Sequence, residues 1–321
     1  MDLHQRTLRI GLTVILLAAV FRLWSAPIQI PSETPPVETT YIEQETGQSV
    51  RFPASLGSYT PQFVESPPPA ADIEELPLFS DISGTAVQNL AKVRPDLDAL
   101  IRQPLQWDLS QGGPAVLILH SHTTESYTPK GESYRQTAAY RTLEEDYNML
   151  SIGDAVTEIL VSHGISVIHD RTVHDYPSYN GAYSHARKTT QAYLKQYPGI
   201  RLVLDLHRDA AEGSSGQLRT LAEEEGCAQL MIVIGTNHKG FEDNLSLGLK
   251  LQSQLEGQSP GITRPLQLRA QRFNQDLLPG MLLVEVGAAG NTRQEALTAA
   301  RHLAQAVVAL ELGTGEPMVD S

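Results

Sequence analysis

Two histidines and a glutamate follow one short apolar segment of this chain. Residues 116–119 (Val-Leu-Ile-Leu) are typical of a buried strand, and His120, His122 and Glu125 come directly after it. Residues two apart in an extended chain point to the same side, so the two imidazoles can share one site. A single histidine is more often a hydrogen-bonded core residue, but a pair at a strand end favours metal binding.

Two other apolar segments carry similar residues. His207 follows residues 202–206, and Glu285 lies within residues 281–287. A carboxylate is costly to bury in an apolar strand without a partner, which favours a functional role for Glu285. A catalytic zinc ion often has two histidines and one carboxylate as protein ligands, and a nearby glutamate can carry a proton from water to a leaving amine. Because the carboxyl ends of parallel strands line ligand-binding crevices, the three segments predict a metal-dependent hydrolase.

The spacing leaves the carboxylate ligand open. Glu144 and Glu145 precede a predicted helix, where the helix dipole alone favours acidic residues. Glu125 is the third candidate. Arg269 and Asn274 precede the segment that carries Glu285, and we expect them to face the same cleft.

Residues 170–181 form a polar and aromatic segment between two predicted elements. Two interpretations remain open for it. It either lines a substrate groove or is a turn-rich connection.

The composition excludes several classes of protein. A formal charge of −13 argues against a nucleic-acid partner, and a hydrophobic content of 41% is enough for a packed core. The single cysteine, Cys227, forms no internal disulfide and cannot build a zinc ribbon. The chain contains neither a G-x-S-x-G elbow nor a Walker loop, which makes serine hydrolases and nucleotide enzymes poor candidates.

The amino-terminal third predicts a membrane-tethered protein. Arg6 and Arg9 precede an apolar run, so residues 1–27 read as a transmembrane anchor or signal sequence with the rest of the chain outside the cytoplasm. Residues 28–84 are rich in Pro, Ser, Thr, Glu and Gln, which predicts a disordered tether. Apolar residues at helical spacing predict a short helical lead-in over residues 85–113.

From residue 114 to 315, apolar strands and amphipathic helices alternate. The predicted strands are 116–120, 165–169, 201–206, 229–234 and 281–286, and the predicted helices are about 147–163, 181–196, 241–256 and 293–311. This order indicates an α/β domain with a mostly parallel sheet and helices on both faces. A TIM-barrel amidohydrolase would need about 250 residues and eight strand–helix units, which is more than this region offers.

Several strings in this domain closely resemble the stage II sporulation protein P family of cell-wall hydrolases. The matching strings are residues 119–127, 147–149, 152–154, 168–181, 204–210, 272–277, 285–287 and 290–292. The likeness covers about residues 114–312 and extends loosely to the anchor and tether.

The resemblance implies an amidase_3-like fold and a zinc site, because the family is related to the zinc N-acetylmuramoyl-L-alanine amidases. Aligning strand ends makes His122 and His207 the histidine ligands and Glu285 the catalytic glutamate. The carboxylate ligand of those amidases precedes an asparagine by four residues, which maps to Glu144 through Asn148. The residues then expected to bind substrate or support the ligands are His120, Glu125, Arg208, Arg269 and Asn274.

The resemblance also implies an activity and a setting. The expected activity is removal of stem peptides from peptidoglycan, together with cleavage of cross-links, during engulfment in sporulation. The expected partner is stage II sporulation protein D, and the expected location is the membrane, with the catalytic domain between the mother-cell and forespore membranes. The alternative is a membrane-tethered peptidoglycan-binding module, or a scaffold of the engulfment complex, without catalysis of its own.

Overall fold

The computed structural model describes residues 79–82, 85–105, 107–110, 113–213 and 216–312. Apolar segments of this part form an eight-stranded sheet in the order β1-β2-β11-β10-β12-β7-β3-β6, beside two short hairpins, β4–β5 and β8–β9. The strands are β1 (Phe79–Ile82), β2 (Thr85–Asn89), β3 (Val116–Leu119), β4 (Gln136–Ala138), β5 (Arg141–Thr142), β6 (Val167–His169), β7 (Leu202–Asp209), β8 (Glu212–Gly213), β9 (Gly216–Gln217), β10 (Leu230–Gly235), β11 (Leu266–Arg269) and β12 (Met281–Ala288).

Strand direction divides the sheet into two parts. β12, β7, β3 and β6 run parallel to one another, whereas β10 is antiparallel to β12, and β11 and β2 run with β10. The carboxyl ends of β3, β7 and β12 therefore meet at one edge, which we call the ligand edge. The carboxyl ends of β10 and β11 lie at the opposite edge.

Helices cover both faces of this sheet, as the sequence predicts. They are α1 (Leu97–Arg102), α2 (Met149–Ser162), α3 (Ala182–Gln196), α4 (Phe241–Gln258) and α5 (Arg293–Leu312). The main core joins side chains such as Ile152, Leu249 and Leu303 to one face of the sheet. On the other face, Ala186 of α3 packs with Leu117 and Val203. The mixed α/β fold with a mostly parallel sheet is confirmed.

The helix that follows β12 begins with a capping box. The Glu295 N–H donates to Thr292 Oγ1 at 3.3 Å, and the Thr292 N–H donates to Glu295 Oε2 at 3.1 Å. Glu295 also pairs with Arg219, and Asn291 Nδ2 donates to it at 2.9 Å. These contacts fix the start of α5, and with it the turn that follows Glu285.

The lead-in differs from the helix predicted over residues 85–113. Residues 85–89 form β2, in which Val87 pairs with Leu266 of β11. Among the described residues of this lead-in, only 97–102 are α-helical. In β2, Val87 and Asn89 are buried while Ala86 and Gln88 are partly exposed. Burial with a period of two is the strand pattern. Pairing with β11 therefore outweighs the local helical spacing, and the sheet begins before residue 114.

The predicted anchor, residues 1–27, lies outside the described residues, as does most of the predicted tether, residues 28–84. The end of that tether, residues 79–82, forms β1 and pairs with β2. Within the described ranges, no helix combines the length and apolar character needed to cross a bilayer.

Candidate active site at the ligand edge

Register places Glu285 beside His207. The two residues are direct partners on the parallel strands β12 and β7, so their side chains leave the same face of the sheet. Oε2 of Glu285 is buried and has no hydrogen-bond partner. Burial raises the pKa of Glu285 to about 8, and the charges of Glu125 and Asp209 add to this, while His207 opposes it. Glu285 is thus poised to exchange a proton near neutral pH.

His207 lies between two carboxylates. Its Nε2 is 2.9 Å from Asp205 Oδ1, and its Nδ1 is 3.6 Å from Glu125 Oε2. Burial disfavours charge on the ring, but Asp205 and Glu125 outweigh it and raise the pKa of His207 well above its ordinary value. The Nε2 contact does not satisfy hydrogen-bond geometry, which leaves that buried nitrogen without a hydrogen-bond partner.

His122 completes the group. Its ring centroid is 5.2 Å from that of His207, and its Nδ1 is buried without a hydrogen-bond partner. Burial lowers the pKa of His122 to about 4, so the imidazole is neutral at physiological pH. A neutral imidazole with an unengaged nitrogen is the form that binds a metal ion.

Glu125, and not Glu144, lies next to these imidazoles. Glu144 is exposed, and its Oε1 accepts the backbone N–H of Arg135 at 2.8 Å. Glu125 is 4% exposed and contacts His207. Burial alone would raise the pKa of Glu125, but Arg208 and the neighbouring imidazoles hold it well below its ordinary range. The assignment of Glu144 through Asn148 is therefore corrected, since the chain turns Glu144 outward before α2.

Glu145, the remaining candidate, is also exposed. Its carboxylate pairs with Arg171 at 2.7 Å. The donor set at the ligand edge is accordingly His122, Glu125 and His207. Two imidazoles and a carboxylate are a common ligand set for catalytic zinc, and the buried Nδ1 of His122, which has no hydrogen-bond partner, fits such an ion.

His120 lies behind the site. Nδ1 is 3.1 Å from the Leu206 carbonyl and Nε2 is 2.9 Å from His169 Nε2, while His169 Nδ1 is 2.9 Å from Asp154. Burial lowers the pKa of His120 to about 3, and His169 adds to this effect. His120 therefore ties β3 to β6 and to the backbone just before His207. Its partner His169, which the sequence does not single out, completes this contact.

Three positions with strained backbone surround the site. Tyr140, Phe273 and Asn274 have φ values of 52°, 50° and 58°, the left-handed region that non-glycine residues rarely adopt. The Tyr140 carbonyl accepts Arg208 Nη2 at 3.1 Å. Phe273 packs on Tyr183 with ring centroids 5.8 Å apart, and Asn274 Nδ2 donates to the Tyr183 carbonyl at 2.8 Å. Such strain is typical of functional sites, where the surrounding contacts maintain it.

Arg269 lies at the opposite edge from the site, contrary to expectation. It is in register with Gly235 at the carboxyl end of β10, and its guanidinium donates to Gln267 Oε1. Because β10 and β11 run against β12, the end of β11 points away from Glu285. Arg264, at the other end of β11, contacts Asp209 instead, with Nη1 2.6 Å from Oδ2.

Arg208 is buried against Glu125. Its backbone N–H donates to Glu125 Oε2 at 3.2 Å, and its Nε donates to the Ser126 carbonyl at 3.2 Å. Asp205 is not among the residues selected from the sequence, although it lies two residues before His207 on the same face of β7. The spacing that pairs His120 with His122 is a signal that also identifies Asp205.

Among the described residues, the donor atoms that lie closest together as a set of three are away from the ligand edge. Glu224, Cys227 and His302 offer ligand atoms within 4.8 Å of one another, and His302 Nε2 is 2.8 Å from Glu224 Oε2. Burial raises the pKa of the Cys227 thiol to about 11, with Glu224 and Glu295 adding to the effect. The thiol is therefore protonated at neutral pH, and no residue of this group contacts the ligand-edge site.

Comparison with known proteins identifies the family. The family model of stage II sporulation protein P (SpoIIP) matches residues 61–308. The chain belongs to the SpoIIP family. Stage II sporulation protein P of Bacillus subtilis (strain 168) is 28% identical over 272 residues, which cover 77% of this chain and 61% of that protein. The SpoIIP-family chain described here thus spans about three fifths of the length of this curated relative.

Two solved structures to which the chain is similar are amidases by name. The CwlD amidase from Clostridioides difficile, in complex with the GerS lipoprotein, is 14% identical with a TM-score of 0.40, covering 62% of this chain and 98% of that one. N-acetylmuramoyl-L-alanine amidase AmiC2 of Nostoc punctiforme is 13% identical with a TM-score of 0.36, and the match covers 63% of this chain and 97% of that one. The family assignment rests on the sequence matches alone.

Proposed function

We propose that this SpoIIP-family chain is a zinc-dependent peptidoglycan hydrolase, an N-acetylmuramoyl-L-alanine amidase that also cleaves cross-links. One observation carries the proposal. Glu285 stands in register with His207 at the ligand edge, beside His122 and Glu125, with a buried and unpartnered carboxylate oxygen. Membership of the SpoIIP family supports the cell-wall substrate.

Each residue of this group has a chemical role in amide hydrolysis. His122, Glu125 and His207 would hold the zinc ion, which when bound supplies a Lewis acid for the scissile carbonyl. Glu285 in its carboxylate form takes a proton from the attacking water at Oε2. It then donates that proton to the amide nitrogen as the C–N bond breaks, so the products are a free carboxyl and an amine.

Asp205 and Ser121 position His207. The Ser121 N–H and Oγ donate to the two oxygens of Asp205 at 2.7 and 2.6 Å, which directs Oδ1 towards His207. Carboxylates in this place fix the orientation of a ligating imidazole and raise its basicity. The Ser121–Asp205–His207 chain therefore prepares β7 to present one ligand in a fixed orientation.

The test incubates the full-length chain with purified peptidoglycan and analyses released products by reversed-phase chromatography, with zinc measured in parallel. We expect stem peptides from the wild type. Glu285→Gln keeps the side-chain shape and removes the base, so it should retain zinc while the rate falls by about 10²- to 10⁴-fold. A folded, zinc-loaded wild type that releases no peptide but binds peptidoglycan would instead support the wall-binding module or scaffold.

We also propose a setting for this activity. Residues 1–27 would anchor the chain in the membrane, with the catalytic domain in the space between the mother-cell and forespore membranes, and stage II sporulation protein D would be a partner. The basic residues before the apolar run support this orientation. Protease protection in intact sporangia and copurification of the two proteins test these points, and cleavage from the cytoplasmic side would contradict the orientation.

A further inference from the structure

The two histidines of the proposed zinc site are held in different ways. His207 Nε2 lies 2.9 Å from Asp205 Oδ1, an ion-pair contact that restricts the ring without hydrogen-bond geometry. His122 has no such contact, because the carboxylate near it, Asp175, lies 4.0 Å from Nδ1. Asp175 instead accepts hydrogen bonds from Thr124 and Arg141. Something other than a hydrogen bond must therefore fix the plane of the His122 ring.

Aromatic rings surround that imidazole. Tyr179 stacks on it, with centroids 4.5 Å apart and planes 26° apart, and Tyr183 meets it edge-on at 5.3 Å. Tyr183 belongs to α3, but Tyr179 lies on the loop before that helix and is 50% exposed. A half-exposed ring on a loop orients a neighbour only if something holds the ring itself.

Arg141 holds Tyr179. Its guanidinium carbon lies 4.5 Å from the centre of the Tyr179 ring, within the range of a cation–π contact. The same guanidinium is fastened to Asp175, with Nη1 2.6 Å from Oδ2. Asp175 also accepts the N–H and hydroxyl of Thr124, at 3.1 and 2.6 Å. The loop that carries Tyr179 is thus bound at Asp175 to the segment that carries His122.

We infer that Tyr179 is a positioning residue for His122, and that Arg141 keeps Tyr179 in place. This assigns a role to residues 170–181, and it rests on the zinc site of the proposed function. The stack restricts rotation of the imidazole plane and keeps His122 beside His207, whose ring centroid lies 5.2 Å away. Removing the ring leaves His122 free to rotate and weakens zinc binding without touching any ligand atom.

The test measures the zinc affinity of the full-length chain by competition with a chromophoric chelator. Tyr179→Ala should weaken binding about tenfold, the lower end of the effect of removing a group that orients a ligand. Tyr179→Phe keeps the ring and should stay within about twofold of wild type. Tyr176→Ala is the matched control, because Tyr176 is on the same loop, is 49% exposed and makes no ring contact with His122. Its affinity should not change.

Two further measurements separate positioning from folding. Thermal unfolding in excess EDTA reports the stability of the metal-free chain, and Tyr179→Ala should leave it nearly unchanged. If Tyr179→Ala lowers the stability of the metal-free chain, Tyr179→Leu replaces it in the zinc measurement. Leucine keeps the apolar bulk of the side chain but lacks the ring face. In a double-mutant cycle, Arg141→Met should weaken zinc binding less in the Tyr179→Ala background than in wild type, because part of its effect acts through the ring.

The outcomes distinguish this inference from the proposed function. Equal zinc affinity in wild type and both ring-lacking variants would overturn the inference and leave the zinc site standing. A loss as large in Tyr179→Phe as in Tyr179→Ala would also overturn it, since the ring would not be the cause. A wild type that binds no zinc at all would overturn both.

Discussion

Asp205 is the residue that makes His207 different from His122. It is fully buried, it accepts both donors of Ser121, and it keeps the pKa of His207 high. A protonated imidazole must lose its proton before it binds a metal ion. Zinc uptake at this site should therefore release a proton, while Asp205 keeps the ring oriented for the ligand position.

Asp205→Asn should lower zinc affinity about 10- to 100-fold, because the amide oxygen can still accept the Ser121 N–H but the charge that orients His207 is lost. Chelator competition at neutral pH measures this change. Asp170→Asn is the control, since Asp170 is a buried carboxylate that contacts Thr172 and His174 rather than His207. A similar loss in both variants would show that general packing, and not orientation of the ligand, is the cause.

At the scale of elements, α2 approaches the sheet closely where His120 meets His169. A Cβ on Gly153 would lie 2.3 Å from His169 Nε2 and 2.8 Å from His120 Nε2. Glycine thus gives α2 room to pack against the bonded pair of histidines. Glycine lowers the intrinsic stability of α2, but it allows the close contact with His120 and His169 that fixes the ends of β3 and β6.

Gly153→Ala should destabilise the chain by about 1–3 kcal/mol, the usual cost of overpacking a core. Gly257→Ala is the matched control in α4, where a Cβ would meet nothing within 4 Å. That substitution should be neutral or stabilise by up to about 1 kcal/mol. Urea unfolding of the two variants tests the comparison, and equal stabilities would contradict the close packing of α2.

The start of α5 should make stability depend on pH. Burial would raise the pKa of Glu295, but Arg219, Asn291 and the Thr292 N–H lower it from 4.5 to about 2. A lowered folded pKa means that the stabilisation is complete above the unfolded value of 4.5 and is lost as pH falls towards about 2.

Glu295→Gln should therefore lower the free energy of unfolding by about 1–2 kcal/mol near neutral pH, because solvent around Arg219 screens part of the interaction. The difference from wild type should shrink as the solution is acidified below 4.5. Denaturant unfolding at a series of pH values measures both effects. A difference that stays constant with pH would mean that the charge of Glu295 is not the source of the stabilisation.

At the scale of the whole molecule, the reversal between β12 and β10 decides which residues reach the site. All strands from β12 to β6 end at the ligand edge, whereas β10 and β11 end at the other. Arg269, at the carboxyl end of β11, therefore lies at the edge of the sheet opposite the site, although it comes shortly before Glu285 in the chain.

Arg269→Ala should leave both zinc affinity and peptide release within about twofold of wild type, as expected of a substitution distant from the site. Arg208→Ala should weaken both, because it removes the guanidinium, whose Nη1 lies 3.4 Å from Glu125 Oε1 and stabilises the charge of that carboxylate. Parallel assays of the two variants test the topology. A loss of activity in Arg269→Ala with unchanged stability would contradict the separation of the two edges.

Much of this protein follows from local patterns in the sequence. The apolar pattern of β3, β7, β12 and the main helices predicts an α/β domain. A period of two residues indicates a strand and one of 3.6 a helix, and each shows which face is buried. The end of each strand is equally local, so His122, His207 and Glu285 can be selected without a structure. Thr292 and Glu295 likewise predict the start of α5 from capping chemistry alone.

Only the tertiary structure decides which of these residues meet. Glu125 and Glu144 are equally plausible by type, and the path of the chain through the β4–β5 hairpin turns one inward and the other outward. Asp205, His169 and Tyr179 gain their roles from partners distant in sequence, as β2 gains its strand conformation from β11. The direction of β10 is likewise invisible in its apolar run, because a strand buried on both faces has the same pattern in either direction. Periodicity is a property of neighbours along the chain, whereas register, strand direction and the partner of a buried charge depend on contacts across the sheet.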